Sequence, residues 1–100
     1  NYPKEKLLWK DEKDINNARK HLGKIIKLLG ELNEENFTSH NIKKSVSNYA
    51  EKEGRGNVFW PFRVSLTGLE QSPDPFIIAE ILGKNETIKR LRHAIDIIKR

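Results

Sequence analysis

Between residues 15 and 29 the apolar positions fall at Ile15, Ala18, Leu22, Ile25, Ile26 and Leu29, steps of three and four that gather on one side of an α-helix. Arg19, Lys20, Lys24 and Lys27 face elsewhere, and Gly30 supplies a stop. A polar connection over 31–36 leads to Phe37 and Thr38. There the threonine is placed to cap free amides while the phenylalanine staples onto Ile42. Ile42, Val46, Tyr49 and Ala50 continue the inner face of this second helix. Gly54-Arg55-Gly56-Asn57 ends it, with Asn57 as the cap of the next segment, 58–66. Residues 57–68 carry two competing signals. Their aromatic and β-branched content is that of a strand, yet Phe59, Phe62 and Leu66 recur at helical spacing. Pro61 is tolerated in a first turn, whose amides have no intrahelical acceptor, and a helix ended by Gly68 is the better match. Asp74 and Pro75 then read as cap and first residue of a fourth helix that stops at Gly83. Asn85 caps a last helix in which Ile88, Leu91, Ile95 and Ile98 form a stripe opposite Lys89, Arg90, Arg92 and Lys99. The pattern predicts an all-α fold, a compact bundle of about five helices joined by short connections.

Ahead of these helices, residues 1–14 are rich in charge and broken by Leu7, Leu8 and Trp9. That triplet is too apolar to leave wholly in water. Residues 1–14 are therefore expected to be a lead-in from a preceding helical domain, and residues 15–100 the helical domain proper.

Composition narrows the function classes. One hundred residues, 36% hydrophobic and 33% charged, make one ordered domain with a single core. No apolar run is long enough to span a bilayer, and the first residues lack the apolar stretch of a signal peptide. With no cysteine, disulfides, thiolate zinc sites and cysteine nucleophiles are excluded. No catalytic set is recognisable, neither a nucleophile elbow, a phosphate-binding glycine loop nor a zinc-binding histidine pair. His21 and His93 are expected to be partly buried, His40 exposed, and Glu34-Glu35 to solvate a loop. No catalytic or metal-ligating residue is assigned. The net charge of +5 leans towards polyanions without singling one out.

The most informative stretch is 59–76, where Trp60, Phe62 and Phe76 accompany one arginine, Arg63, and a loop containing Ser72 and Pro73 reaches a capped helix start. Unpaired RNA bases need flat apolar platforms, a forked guanidinium donor and backbone groups held open by a rigid loop. A helix N-terminus adds amides for phosphate. Phe59 and Leu66 are expected in the core; for Phe62 and Phe76, core and platform both stay open. Lys84, Lys89 and Arg90 belong to a basic helix face that is either plainly solvated or steers a phosphate backbone. A rival from another class is a protein-interaction module in which Leu7, Trp9 and Trp60 dock a partner.

The run Phe59-Trp60-Pro61-Phe62-Arg63-Val64-Ser65-Leu66-Thr67-Gly68, followed by Ser72-Pro73, Phe76, Ile81-Leu82-Gly83-Lys84 and Arg90-Leu91, closely resembles the C-terminal end of bacterial glutamyl-tRNA synthetases. The Leu-Leu-Trp-Lys lead-in and the Phe-Thr helix start are similar too. The resemblance implies a superhelical helix cage of the class I synthetase anticodon-binding type, holding the anticodon loop of tRNA-Glu. It implies that Arg63 contacts an anticodon base and that Ser72, Pro73 and Phe76 line the base pockets. Trp60 stands where the family often has a smaller side chain, and it offers either a stacking surface or core filling. Asp74-Pro75 also departs from the family pattern, and a carboxylate beside phosphates is acceptable there only if it turns inward to cap its helix. The resemblance further implies a cytoplasmic monomer whose partners are tRNA-Glu and the preceding domains of one polypeptide. ATP and magnesium belong to a catalytic domain that these 100 residues do not contain, so by themselves they should not aminoacylate tRNA.

Overall fold

A computed structural model describes residues 2–9, 14–71 and 73–99. Among them are five α-helices: α1 (Ile15–Gly30), α2 (Ser39–Glu53), α3 (Arg55–Thr67), α4 (Pro75–Leu82) and α5 (Lys84–Lys99), with short 3-10 turns at Lys4–Leu7 and Glu34–Asn36. No strand occurs among the described residues, so the helical spacing of 58–66 prevails over its strand-like composition.

Several starts follow from side chains that accept from free amides. The Asp14 carboxylate accepts from the Asn16 amide at 2.9 Å, and the Thr38 hydroxyl from the Asn41 amide at 3.2 Å. The Asp74 carboxylate accepts from the Phe76 amide at 2.8 Å, so Asp74 does turn to its own helix, with Pro75 as the first helical residue.

Two joints are built differently from the expectation. At Gly54, with φ +100°, the amide donates to the Ala50 carbonyl to close α2 while its own carbonyl accepts from Val58 to open α3. Gly83, with φ +85°, does the same between Ala79 and Thr87. A single residue therefore ends one helix and begins the next, in a backbone region that only glycine enters without steric cost. Neither Asn57 nor Asn85 is a cap; both lie inside first turns. Starting α3 at Arg55 puts Pro61 in the helix interior, not in its first turn, so the Asn57 carbonyl receives no helical bond from residue 61. Gly30 also differs from the expectation. It is the last residue of α1, followed by Glu31 in right-handed geometry, with no left-handed cap.

The core gathers Leu22, Ile25 and Leu29 of α1, Ile42 and Val46 of α2, Val58, Phe62 and Leu66 of α3, and Leu91 and Ala94 of α5. Leu7 from the lead-in is fully buried among them. It is thus unavailable as a docking residue. The buried face of α5 is Thr87, Leu91, Ala94, Ile97 and Ile98, rotated from the expected stripe, and Ile88 and Ile95 are only half-buried. Thr87 is tolerated inside because its hydroxyl donates to the Ala79 carbonyl at 3.2 Å. His21 is buried, with Nδ1 2.6 Å from the Tyr49 hydroxyl; His40 is exposed, and so, against expectation, is His93. No helix among the described residues is long and apolar enough to cross a membrane.

Candidate nucleic-acid interface

Arg63 sits two turns into α3 and is half-buried. Its neighbour Trp60 lies with it in one depression of about 190 Å³, completed by Trp9, Arg55, Gly56 and Phe59. The Trp9 and Trp60 rings are 5.0 Å apart between centroids and tilted by 52°. Trp60 is a shared wall. On its other side a wider groove of about 740 Å³ runs between Leu8 and Trp9 of the lead-in and Leu69, Glu70 and Gln71 of the loop after α3.

That loop is held at its root. Gly68, with φ +74°, supplies the left-handed turn that ends α3. The Thr67 hydroxyl donates to the Arg63 carbonyl at 3.3 Å and accepts from the Leu69 amide at 3.1 Å, so the first step of the loop is bonded to the residue that carries the guanidinium. Pro73 is exposed at the far end of the loop. Ser72, expected to line a base pocket, lies outside the described residues.

Phe76 belongs to the core. Its ring is buried, edge-on to Phe59 with centroids 5.2 Å apart and tilted against Phe62 at 5.8 Å. Both open questions about Phe62 and Phe76 resolve to core, because aromatic rings of two crossing helices bury more area against one another than against solvent. Phe76 therefore pins the start of α4, and with it the far end of the loop, to α3.

The three cations expected on phosphate divide in the same way. Lys84 donates to the carbonyl of Gly30 at 3.0 Å, at the negative end of α1. Arg90 pairs with Glu86 through Nε at 2.8 Å, and its Nη1 donates to the Leu66 carbonyl near the end of α3. The Arg90 hydrogen bond, ahead of the charge attraction, holds the Glu86 carboxyl below the usual range. These two side chains close helix ends. Lys89 is exposed beside Arg92 and His93 in a depression on α5.

Sequence reasoning missed Trp9, Arg55 and Gly56 as parts of this face. Arg55 carried a faint signal, since Arg55, Phe59 and Arg63 recur at intervals of four. Trp9 stood out as an apolar residue of the lead-in, but its place beside Arg63 was hidden because its partners lie far along the chain. Among the described residues no three His, Asp or Glu side chains are grouped to hold a metal ion.

Comparison with known proteins identifies the family. The family described as anticodon binding domain matches residues 2–95. Glutamate–tRNA ligase of Flavobacterium johnsoniae is 39% identical over 92 residues, covering 88% of this chain and 18% of its own length. The enzyme of the same name from Clostridium botulinum strain Okra is 35% identical over 100 residues, 97% of this chain and 20% of its own length. That from Flavobacterium psychrophilum is 40% identical over 89 residues, 85% and 18% of the two lengths. The chain thus spans about a fifth of the length of the curated relatives it matches. No solved structure matches it significantly. A match over residues 2–95, relatives 35–40% identical and an all-helical core make this chain a member of the anticodon-binding domain family.

Proposed function

We propose that this chain is the anticodon-recognition unit of a glutamate–tRNA ligase and that it binds the anticodon loop of tRNA-Glu. The observation that carries this is Arg63 lining an open depression beside Trp60, at the root of a loop whose ends are fixed by Gly68 and Phe76. Arg63 reads a base edge through its forked donors. Trp60 offers a flat face for stacking. Pro73 borders the bases from the far end of the loop, and Phe76 supports them from within the core. Lys89 adds phosphate attraction that follows the salt concentration and carries no sequence information.

Glutamate attachment, with its ATP and magnesium, belongs to the four-fifths of the relatives' length that the chain does not span, and these residues contribute only recognition. Such a unit works as a monomer in the cytoplasm, alongside the rest of its polypeptide.

The test is a titration of the chain with a tRNA-Glu anticodon stem-loop and with the same stem carrying a scrambled loop, at two salt concentrations. Tighter binding to the cognate loop at both concentrations supports the proposal. Equal affinity for the two loops, or binding that vanishes for both as salt rises, refutes base recognition.

A further inference from the structure

Arg55, Phe59 and Arg63 occupy every fourth position of α3, so one phenylalanine stands between two arginine positions on a single helix face. The Arg55 guanidinium carbon is 6.0 Å from the Phe59 ring centroid. Behind Phe59 stands Phe76, edge-on, which keeps the ring from turning inward. Trp9 and Trp60 close the depression.

Gly56 makes this arrangement possible. A Cβ at residue 56 would lie 2.4 Å from Trp9 Nε1, closer than two such atoms approach, so the indole is seated against bare backbone. Arg55 also pairs with Glu51 at 3.3 Å, but both side chains are more than half exposed. A pair so open to water holds its partner weakly, and a phosphate replaces the carboxylate at little cost.

Two indoles and two guanidiniums around one open depression are the chemistry of single-stranded nucleic acid: π faces for a base, fixed positive charge for its phosphate. We infer that Trp9, Arg55, Phe59 and Trp60 complete the Arg63 depression as one full nucleotide subsite, taking the unpaired nucleobase against the indoles and its phosphate on Arg55. This rests on the RNA binding proposed above and extends the contact beyond Arg63 and the loop that follows it.

Both tryptophans of the chain stand in this depression, so indole emission reports its occupancy. The chain is titrated with a labelled tRNA-Glu anticodon stem-loop while RNA anisotropy and tryptophan emission are recorded together. Quenching that saturates with the anisotropy is expected. Gly56→Ala places a methyl group in the Trp9 seat while favouring the helix; it should remove much of the quenching and weaken binding about three- to tenfold. Arg55→Gln leaves the core untouched and should weaken binding about threefold or more, with a salt slope lower by about one. Arg55→Gln binding as tightly as the parent chain, or Gly56→Ala with unchanged quenching and affinity, overturns the subsite and leaves base reading by Arg63 standing; RNA that binds by anisotropy with flat emission overturns the subsite together with stacking on Trp60. Absence of any binding to the stem-loop overturns the subsite and anticodon recognition alike.

Discussion

The indole Nε1 of Trp60 donates to the carbonyl oxygen of Lys6 at 2.8 Å, fastening the exposed side of α3 to a lead-in from the other end of the chain. The bond fixes the plane of the indole that separates the Arg63 depression from the groove beside Leu69. Trp60→Phe keeps most of the apolar area and leaves the Lys6 carbonyl without its indole donor. It should cost about 1 to 2 kcal/mol of stability, read as a lower urea midpoint with an unchanged slope.

Glycines in α1 and at the end of α3 should respond in opposite directions to alanine. Gly23 is exposed within α1 and a Cβ there meets nothing within 4 Å, so Gly23→Ala should stabilise by about 0.5 to 1 kcal/mol. Gly68 has φ +74° with the Tyr2 ring 3.4 Å from a built Cβ, so Gly68→Ala should destabilise by about 1 kcal/mol or more. Thermal unfolding of the two variants side by side checks the contrast.

These joints also show what can be read from residue order. Period and caps are local, so α1, α2 and α4 stand where Ile15, Thr38 and Asp74 announce them. The starts of α3 and α5 were not legible, because Gly54 and Gly83 join two helices with no intervening loop and leave Asn57 and Asn85 looking like caps. Burial at Phe76 was undecidable from its own segment. It depends on Phe59 and Phe62, on a different helix, being within ring contact. For the same reason Arg63 and Trp60 could be nominated together from one short stretch, whereas Trp9, though nominated as a docking residue, could not be placed beside Arg63. Lys84 and Arg90 resemble any surface cations until the carbonyls of Gly30 and Leu66 are found beside them.

Alkaline pH should destabilise the chain through Tyr2. Its hydroxyl is buried without a hydrogen-bond partner among the described residues, and burial pushes its pKa from 10.0 up to about 12. The folded state therefore holds this proton more tightly than the unfolded state. The associated stability is complete below pH 10 and falls as the pH rises towards about 12. Tyr2→Phe should flatten this decline and, at neutral pH, leave stability unchanged or raise it by up to about 1 kcal/mol, since no bond is lost. Tyr49 is shifted in the same direction, by burial first and the Glu53 charge second, so some alkaline sensitivity should persist. Stability curves at neutral pH and across the alkaline window separate the two tyrosines.

Base recognition by the Arg63 guanidinium is tested most directly by comparing the parent chain with Arg63→Lys, which retains the charge and removes the planar fork. Affinities are measured for the tRNA-Glu anticodon stem-loop and for loops with single anticodon bases exchanged. Arg63→Lys should lose about 1 to 3 kcal/mol on the cognate loop, and discrimination should fall at one anticodon position while the others keep theirs. An equal loss on every loop would reduce Arg63 to a phosphate contact, and an unchanged affinity would remove it from the interface.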